Sequence, residues 1–145
     1  MKSFLTLGLV VSAFLLSGCD NHGKSYCSKK AAAHMKKESG CFTVHFGHDK
    51  KDLNHAARHD LDSLIVWMKK NPKSSICLSA HASAVGNVNY NMRLSQKRSN
   101  SVKEYLVNHG ISESRIEGKS YGESKLPAGK GHASDNRVVI ITKYS

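Results

Sequence analysis

Acidic residues are scarce in this chain of 145 residues, 11 against 22 lysines and arginines, for a formal net charge of +11. So few carboxylates leave little to build a cation site from, and the surplus points to an acidic partner, nucleic acid being the usual one. Long apolar runs are missing as well. The longest, Phe4 to Leu16, falls short of the roughly 20 residues that cross a bilayer, so no transmembrane anchor is expected. No stretch repeats, which excludes a solenoid. Cysteine is confined to Cys19, Cys27, Cys41 and Cys77.

The N-terminus supplies the compartment. Met1-Lys2-Ser3 is a short positive start, Phe4 to Leu16 an apolar core, and small residues with one cysteine follow. This is the pattern of a cleaved signal peptide over residues 1–18. Leu16-Ser17-Gly18-Cys19 resembles the lipobox of bacterial lipoproteins, which implies a diacylglycerol on the Cys19 sulfur and Cys19 as the mature N-terminus. Export argues against nucleic acid as the acidic partner. Phospholipid headgroups and the carboxylate-rich stems of the cell wall remain, and solubility alone accounts for the lysines equally well. An oxidising compartment permits disulfides. Cys27 with Cys41 would close a short loop, worth about 3 kcal/mol; Cys77 could instead be a buried free thiol.

Residues 19–41 are polar, lysine-rich and lack a sustained apolar period, so they read as a tether of at most about 70 Å. The folded part is expected over 42–145. Phe42 to Phe46 alternates as a half-buried strand. Asp52 is a plausible N-cap for a helix on which Leu53, Ala57, Leu61, Leu64, Ile65 and Met68 recur at three- and four-residue steps. Lys69, Lys70 and Pro72 mark its end. Ile76, Leu78 and Ala80 alternate in a second strand. A loop from Ala84 to Asn89 leads to a second helix, Tyr90 to His109, closed by Gly110. Ser112 caps a single turn, a third strand spans Ile116 to Tyr121, and Val138 to Thr142 is a β-branched run suited to a central strand. The fold class is α/β (α+β): a mixed four-stranded sheet in the order β-α-β-α-β-β with helices packed on it.

Four stretches resemble OmpA-like C-terminal domains of the peptidoglycan-associated lipoprotein type. They are Val44 to Leu53, His81 to Arg98, Tyr121-Gly122-Glu123-Ser124 and Asp135-Asn136-Arg137-Val138. The resemblance covers about residues 42–143 and implies non-covalent binding of peptidoglycan through the diaminopimelate of its peptide stem. On the family's pattern Arg98 takes the ligand carboxylate, Asn91 is the pocket asparagine and Arg137 the late arginine. The aspartate that receives the ligand ammonium is replaced by Ser83, and the threonine before it by Ala82, so the pocket is expected to lack that counter-charge. The residues single out Arg98 independently. Leu94, Arg98, Val102 and Leu106 are spaced by four, so a charge interrupts an apolar stripe, and a planar guanidinium suits a carboxylate. The alternatives are that it snorkels to solvent or pairs with Asp135 inside the fold.

Weaker signals point nowhere else. Gly118-Lys119-Ser120-Tyr121-Gly122 matches the hydrolase pattern G-x-S-x-G, but that elbow needs a helix after its strand, and no catalytic residue is expected. His55 and His59 lack a third ligand, so no metal and no cofactor beyond the Cys19 lipid is expected. His81 is expected to bond loop backbone. The resemblance places the chain on the periplasmic face of the outer membrane, although Asp20 resembles an inner-membrane retention signal. The expected partners are peptidoglycan and a membrane, without nucleic acid. The alternative is a structural subunit of an envelope machine such as a secretion system or flagellar motor, contacting its proteins and binding peptidoglycan weakly or not at all.

Overall fold

The computed structural model describes residues 41–127 and 136–144. The elements run β1 (Cys41–His45), α1 (His55–Lys70), β2 (Ser75–Ala80), α2 (Val88–Asn108), a 3-10 turn (Glu113–Arg115), β3 (Ile116–Ser120) and β4 (Val138–Tyr144). The four strands form one sheet in the order β1-β4-β2-β3. β4 is antiparallel to both neighbours, while β2 and β3 are parallel and joined through α2. This is the expected mixed sheet. The β-branched run of β4 lies centrally in it.

Alternation decides the faces. Ile76, Leu78 and Ala80 of β2 and Val139 and Ile141 of β4 enter one core with Leu61, Leu64, Ile65 and Met68 of α1 and Val102 and Leu106 of α2. Each large apolar side chain buried there contributes about 1.5–3 kcal/mol. Cys77 and Ser79 point to the reverse face and are buried as well.

Both helices begin elsewhere than expected. α1 is capped by Asn54, whose Oδ1 accepts from the Ala57 amide at 2.8 Å, not by Asp52. Leu53 packs against the core from outside the helix, so the chain must reach it before it can coil. α2 starts two residues early, because Asn87 turns its side chain onto the amides of Asn89 and Tyr90. At the other end of α1, Arg115 donates to the carbonyls of Met68, Asn71 and Ser74, satisfying acceptors that a helix end leaves over. β1 begins at Cys41, one residue inside the expected tether.

Cys41 and Cys77 are each disulfide-bonded, so Cys77 is not a free thiol. Both stand level with Thr142, one on either side of β4. The expected Cys27–Cys41 bridge has Cys27 outside the described residues, as is Cys19.

Candidate functional site

The site forms where the turn after β1, the end of β2 and the first half of α2 meet. Arg98 is its centre. Leu94, Arg98 and Val102 share the inner stripe of α2, and Arg98 is 0% exposed. It does not snorkel to solvent. Its Nε donates to the Lys50 carbonyl at 2.9 Å, Nη1 to His81 at 3.1 Å and Nη2 to Gly47 at 3.2 Å. Its Cζ lies 5.3 Å from the Phe46 ring centroid. Burial and the neighbouring Arg137 charge push its pKa down to about 10, so it stays cationic at neutral pH, while Asp49 acts the opposite way. Asp135, the other suggested partner, lies outside the described residues.

A guanidinium carries five N–H donors, and those three bonds leave one on each terminal nitrogen. Arg98 also forms part of the wall of an open cavity of about 230 Å³. A planar guanidinium matches the two oxygens of a carboxylate. The backbone bonds fix the fork before any ligand arrives.

The other expected residues gather at the same cavity. Ser83, Asn91 and Arg137 all line it. Asn91 spends its amide nitrogen inside the fold, on the Val85 carbonyl at 3.1 Å and Glu123 Oε2 at 2.7 Å, so it secures the wall and has no amide proton left to donate to a ligand. Arg137 donates from Nε to the Phe46 carbonyl at 3.4 Å.

Three lining residues with polar side chains were not anticipated: His48, Asp49 and Tyr90. The Tyr90 hydroxyl donates to Asp49 Oδ1, and that bond raises the Tyr90 pKa, which keeps the phenol protonated. Asp49 holds φ 54°, the one positive value outside glycine among the described residues. All three lie in stretches that carry the family resemblance. What sequence spacing does not reveal is that the turn after β1 folds over α2.

The remaining signals resolve as structure. The His81 ring stacks on Tyr121 with centroids 5.4 Å apart, and burial pushes its pKa down to about 4. Its carbonyl serves Arg98. β3 ends at Ser120 and runs into a turn rather than a helix, so the nucleophile elbow does not form. His55 and His59 are exposed on the first two turns of α1, and no metal-holding group of three or more His, Cys, Asp or Glu occurs among the described residues. No described helix is long and apolar enough to cross a membrane.

Relatives carry the same architecture. The OmpA family matches residues 45–139. The peptidoglycan-associated lipoprotein of Haemophilus influenzae is 33% identical over 103 residues, covering 68% of this chain and 67% of its own. Outer membrane porin F of Pseudomonas aeruginosa is 31% identical over 135 residues, covering 83% of this chain but only 38% of the porin. Among solved structures, the OmpA-like domain of FopA1 from Francisella tularensis superposes with TM-score 0.66 at 23% identity, covering 73% of each chain. The peptidoglycan-associated lipoprotein of Burkholderia pseudomallei gives 0.65 at 23%, covering 70% of this chain and 88% of that one. The C-terminal domain of Helicobacter pylori MotB gives 0.63 at 16%, covering 72% and 84%. With the family's model matching residues 45–139 and a relative 33% identical over 103 residues, the chain belongs to the OmpA family.

Proposed function

We propose that this chain is a lipid-anchored envelope protein whose OmpA-like domain binds peptidoglycan without a covalent bond. The single observation that carries the reading is the preset Arg98 fork in the cavity wall. It suits the free carboxylate of diaminopimelate in a peptide stem, with Arg137 adding a second positive charge. The relatives named peptidoglycan-associated lipoprotein support the same ligand. Ser83 and Asn91 shape the wall. Reversible binding is the whole activity proposed, and no catalytic step is assigned to any residue.

Anchoring is assigned to a diacylglycerol on Cys19, with the domain on the periplasmic face of the outer membrane; Asp20 keeps the inner membrane as the other location. Cys19→Ala should release the protein from membranes, and a palmitate analogue should label the wild type alone. For the wall, the signal-free domain should cosediment with purified sacculi and be displaced by free diaminopimelate. Wild type that stays in the supernatant at every concentration overturns the wall reading.

The second reading is a structural subunit of an envelope assembly. Its support is specific: Ser83 removes the family's acid, and Val85, Val88 and Met92 are exposed at the cavity loop and the first turns of α2. Failure to cosediment with sacculi, with a normal thermal melt, would favour it.

A further inference from the structure

The domain has two unlike ends. The cavity lies where β1 and β2 finish, among residues that follow His45 and Ala80. The opposite end gathers the last turn of α1, the turn into β2, the end of α2 and the close of β4. Arg115 ties the first two together through the carbonyls of Met68, Asn71 and Ser74, and Ser75 stands level with Tyr144. α1 runs between the ends over 16 residues, about 24 Å at the usual helical rise.

This far end is basic. Lys69, Lys70 and Lys73 are exposed there, and Lys143 places its Nζ 4.5 Å from the Trp67 ring centroid. Lys69 has a task inside the fold: its Nζ would lie 3.9 Å from a Cβ on Gly110, just past α2. The last turn of α2 holds no basic residue, so Lys69 complements that helix end. Lys70 and Lys73 have no such task, and none of the three joins an ion pair among the described residues. Of the acids nearby, Glu113 is held by Lys103, Glu104 sits a turn short of the end of α2, and Glu117 stands level with Cys77 on the reverse face. The chain from Cys19 arrives at this same end, entering β1 at Cys41, level with Thr142. Residues 20–40 bring Lys24, Lys29, Lys30, Lys36 and Lys37 against Asp20 and Glu38.

We propose that the end of the domain bearing Lys69, Lys70 and Lys73 docks on anionic phospholipid headgroups of the membrane that holds the anchor. This rests on the lipid-anchor reading above and adds a second, electrostatic contact with the same membrane. Charge complementarity and the point of chain entry select the partner. Whatever surface tethers the chain before Cys41 meets this end first, and a basic patch beside a lipid anchor draws anionic headgroups. The attraction acts within about a Debye length, roughly 10 Å at 0.1 M salt. Trp67 is half-buried at this end, with Lys143 over its ring, and tryptophan and lysine both suit the headgroup layer. Docked this way, the domain holds its cavity a helix length from the membrane and turns it toward the wall. At physiological salt the contact orients the domain without replacing the anchor, so Cys19→Ala still leaves the membrane.

The mature chain with Cys19→Ala separates this contact from the acyl chains. At low salt it should cosediment with vesicles of phosphatidylglycerol and phosphatidylcholine, stay free of pure phosphatidylcholine, and come off as salt rises. Trp67 is the one tryptophan of the chain, so its emission should shift to shorter wavelength on docking. Replacing Lys69, Lys70 and Lys73 together by glutamine should weaken vesicle binding by about ten- to a hundredfold. Lys51→Gln, Arg93→Gln and Lys97→Gln together remove the same charge from other exposed positions and should leave it unchanged. If the first triple variant melts early, Lys70→Gln with Lys73→Gln, which spares the α2 end, makes the same comparison. Equal loss in both sets would make the attraction a matter of total charge, and no loss in either would leave it to residues 20–40; each overturns the proposal. So does preference for soluble polyglutamate over the vesicles, which would assign this end to an acidic protein. Palmitate labelling of wild type is independent of all these outcomes, so the anchor reading stands or falls separately.

Discussion

Arg98 joins the fold and the site in one side chain. Its three carbonyl partners, Gly47, Lys50 and His81, come from two different loops. Arg98→Ala therefore removes the proposed ligand group and also leaves buried acceptors without a donor, at about 1–3 kcal/mol each when water cannot replace it. The expected loss of unfolding free energy is about 3 kcal/mol or more, read as a lower urea midpoint, with Arg98→Lys losing less. A melt unchanged from wild type would mean that water reaches those carbonyls through the cavity. Spacing by four announced Arg98 as a charge inside an apolar stripe. Asp49 carried no comparable signal, since a single aspartate in a turn has no periodicity. Its importance depends on Tyr90, 41 residues away.

At the scale of elements, the cavity depends on how closely the loop after β3 approaches α2. Gly122 has φ 53°, and a Cβ there would meet the backbone N and Cα of Met92 at 3.0 Å. Its amide donates to Ser95 Oγ at 2.9 Å. Both the conformation and the contact exclude a larger residue. Gly122→Ala should cost about 1–3 kcal/mol in a urea melt and loosen the first turns of α2, where Tyr90 and Asn91 sit. Hydrogen exchange at the amides of Asn91 to Ser95 would register that loosening; unchanged exchange would show that the loop yields instead. The strands and helices were readable from alternation and from three- and four-residue steps. Their starts were not. Caps such as Asn54 and Asn87 are chosen by where Leu53 and the loop before α2 must pack, and that is tertiary information.

For the whole molecule, the sheet order β1-β4-β2-β3 was beyond the reach of local pattern. The β-branched run of β4 indicated a central strand, but nothing local states which strands flank it. Acid should test how firmly the completed fold holds. The His81 ring is 0% exposed, stacked on Tyr121, with Lys125 adding a positive charge nearby. Burial lowers its pKa from 6.5 to about 4. Between those two values the unfolded chain binds a proton that the folded chain refuses. The stability is complete above pH 6.5 and is lost as pH falls toward 4, at about 1.4 kcal/mol per pH unit from this ring. Urea midpoints measured between pH 7 and 4 should fall accordingly, and His81→Gln should flatten that slope. An equally steep slope in the variant would assign the acid sensitivity to other groups.

β1 is an edge strand, entered at Cys41 and left at His45, with the cavity residues His48 and Asp49 just beyond its far end. Tension between the chain before Cys41 and a ligand held in the cavity would thus run along the strand axis. The ladder bonds to β4 lie across that axis, so the five pairs from Cys41–Thr142 to His45–Val138 would be sheared together instead of opened one by one. Pulling from Cys41 against Tyr144 applies force at neighbouring ends of the same two strands and peels the pairs in sequence. In single-molecule stretching, rupture from handles at residues 41 and 138, which shear β1 along β4, should need markedly more force than from handles at 41 and 144. Equal forces would mean that the β1–β4 ladder is not what resists. The expected outcome is a mechanically anisotropic domain whose strong direction runs from the start of β1 to the cavity.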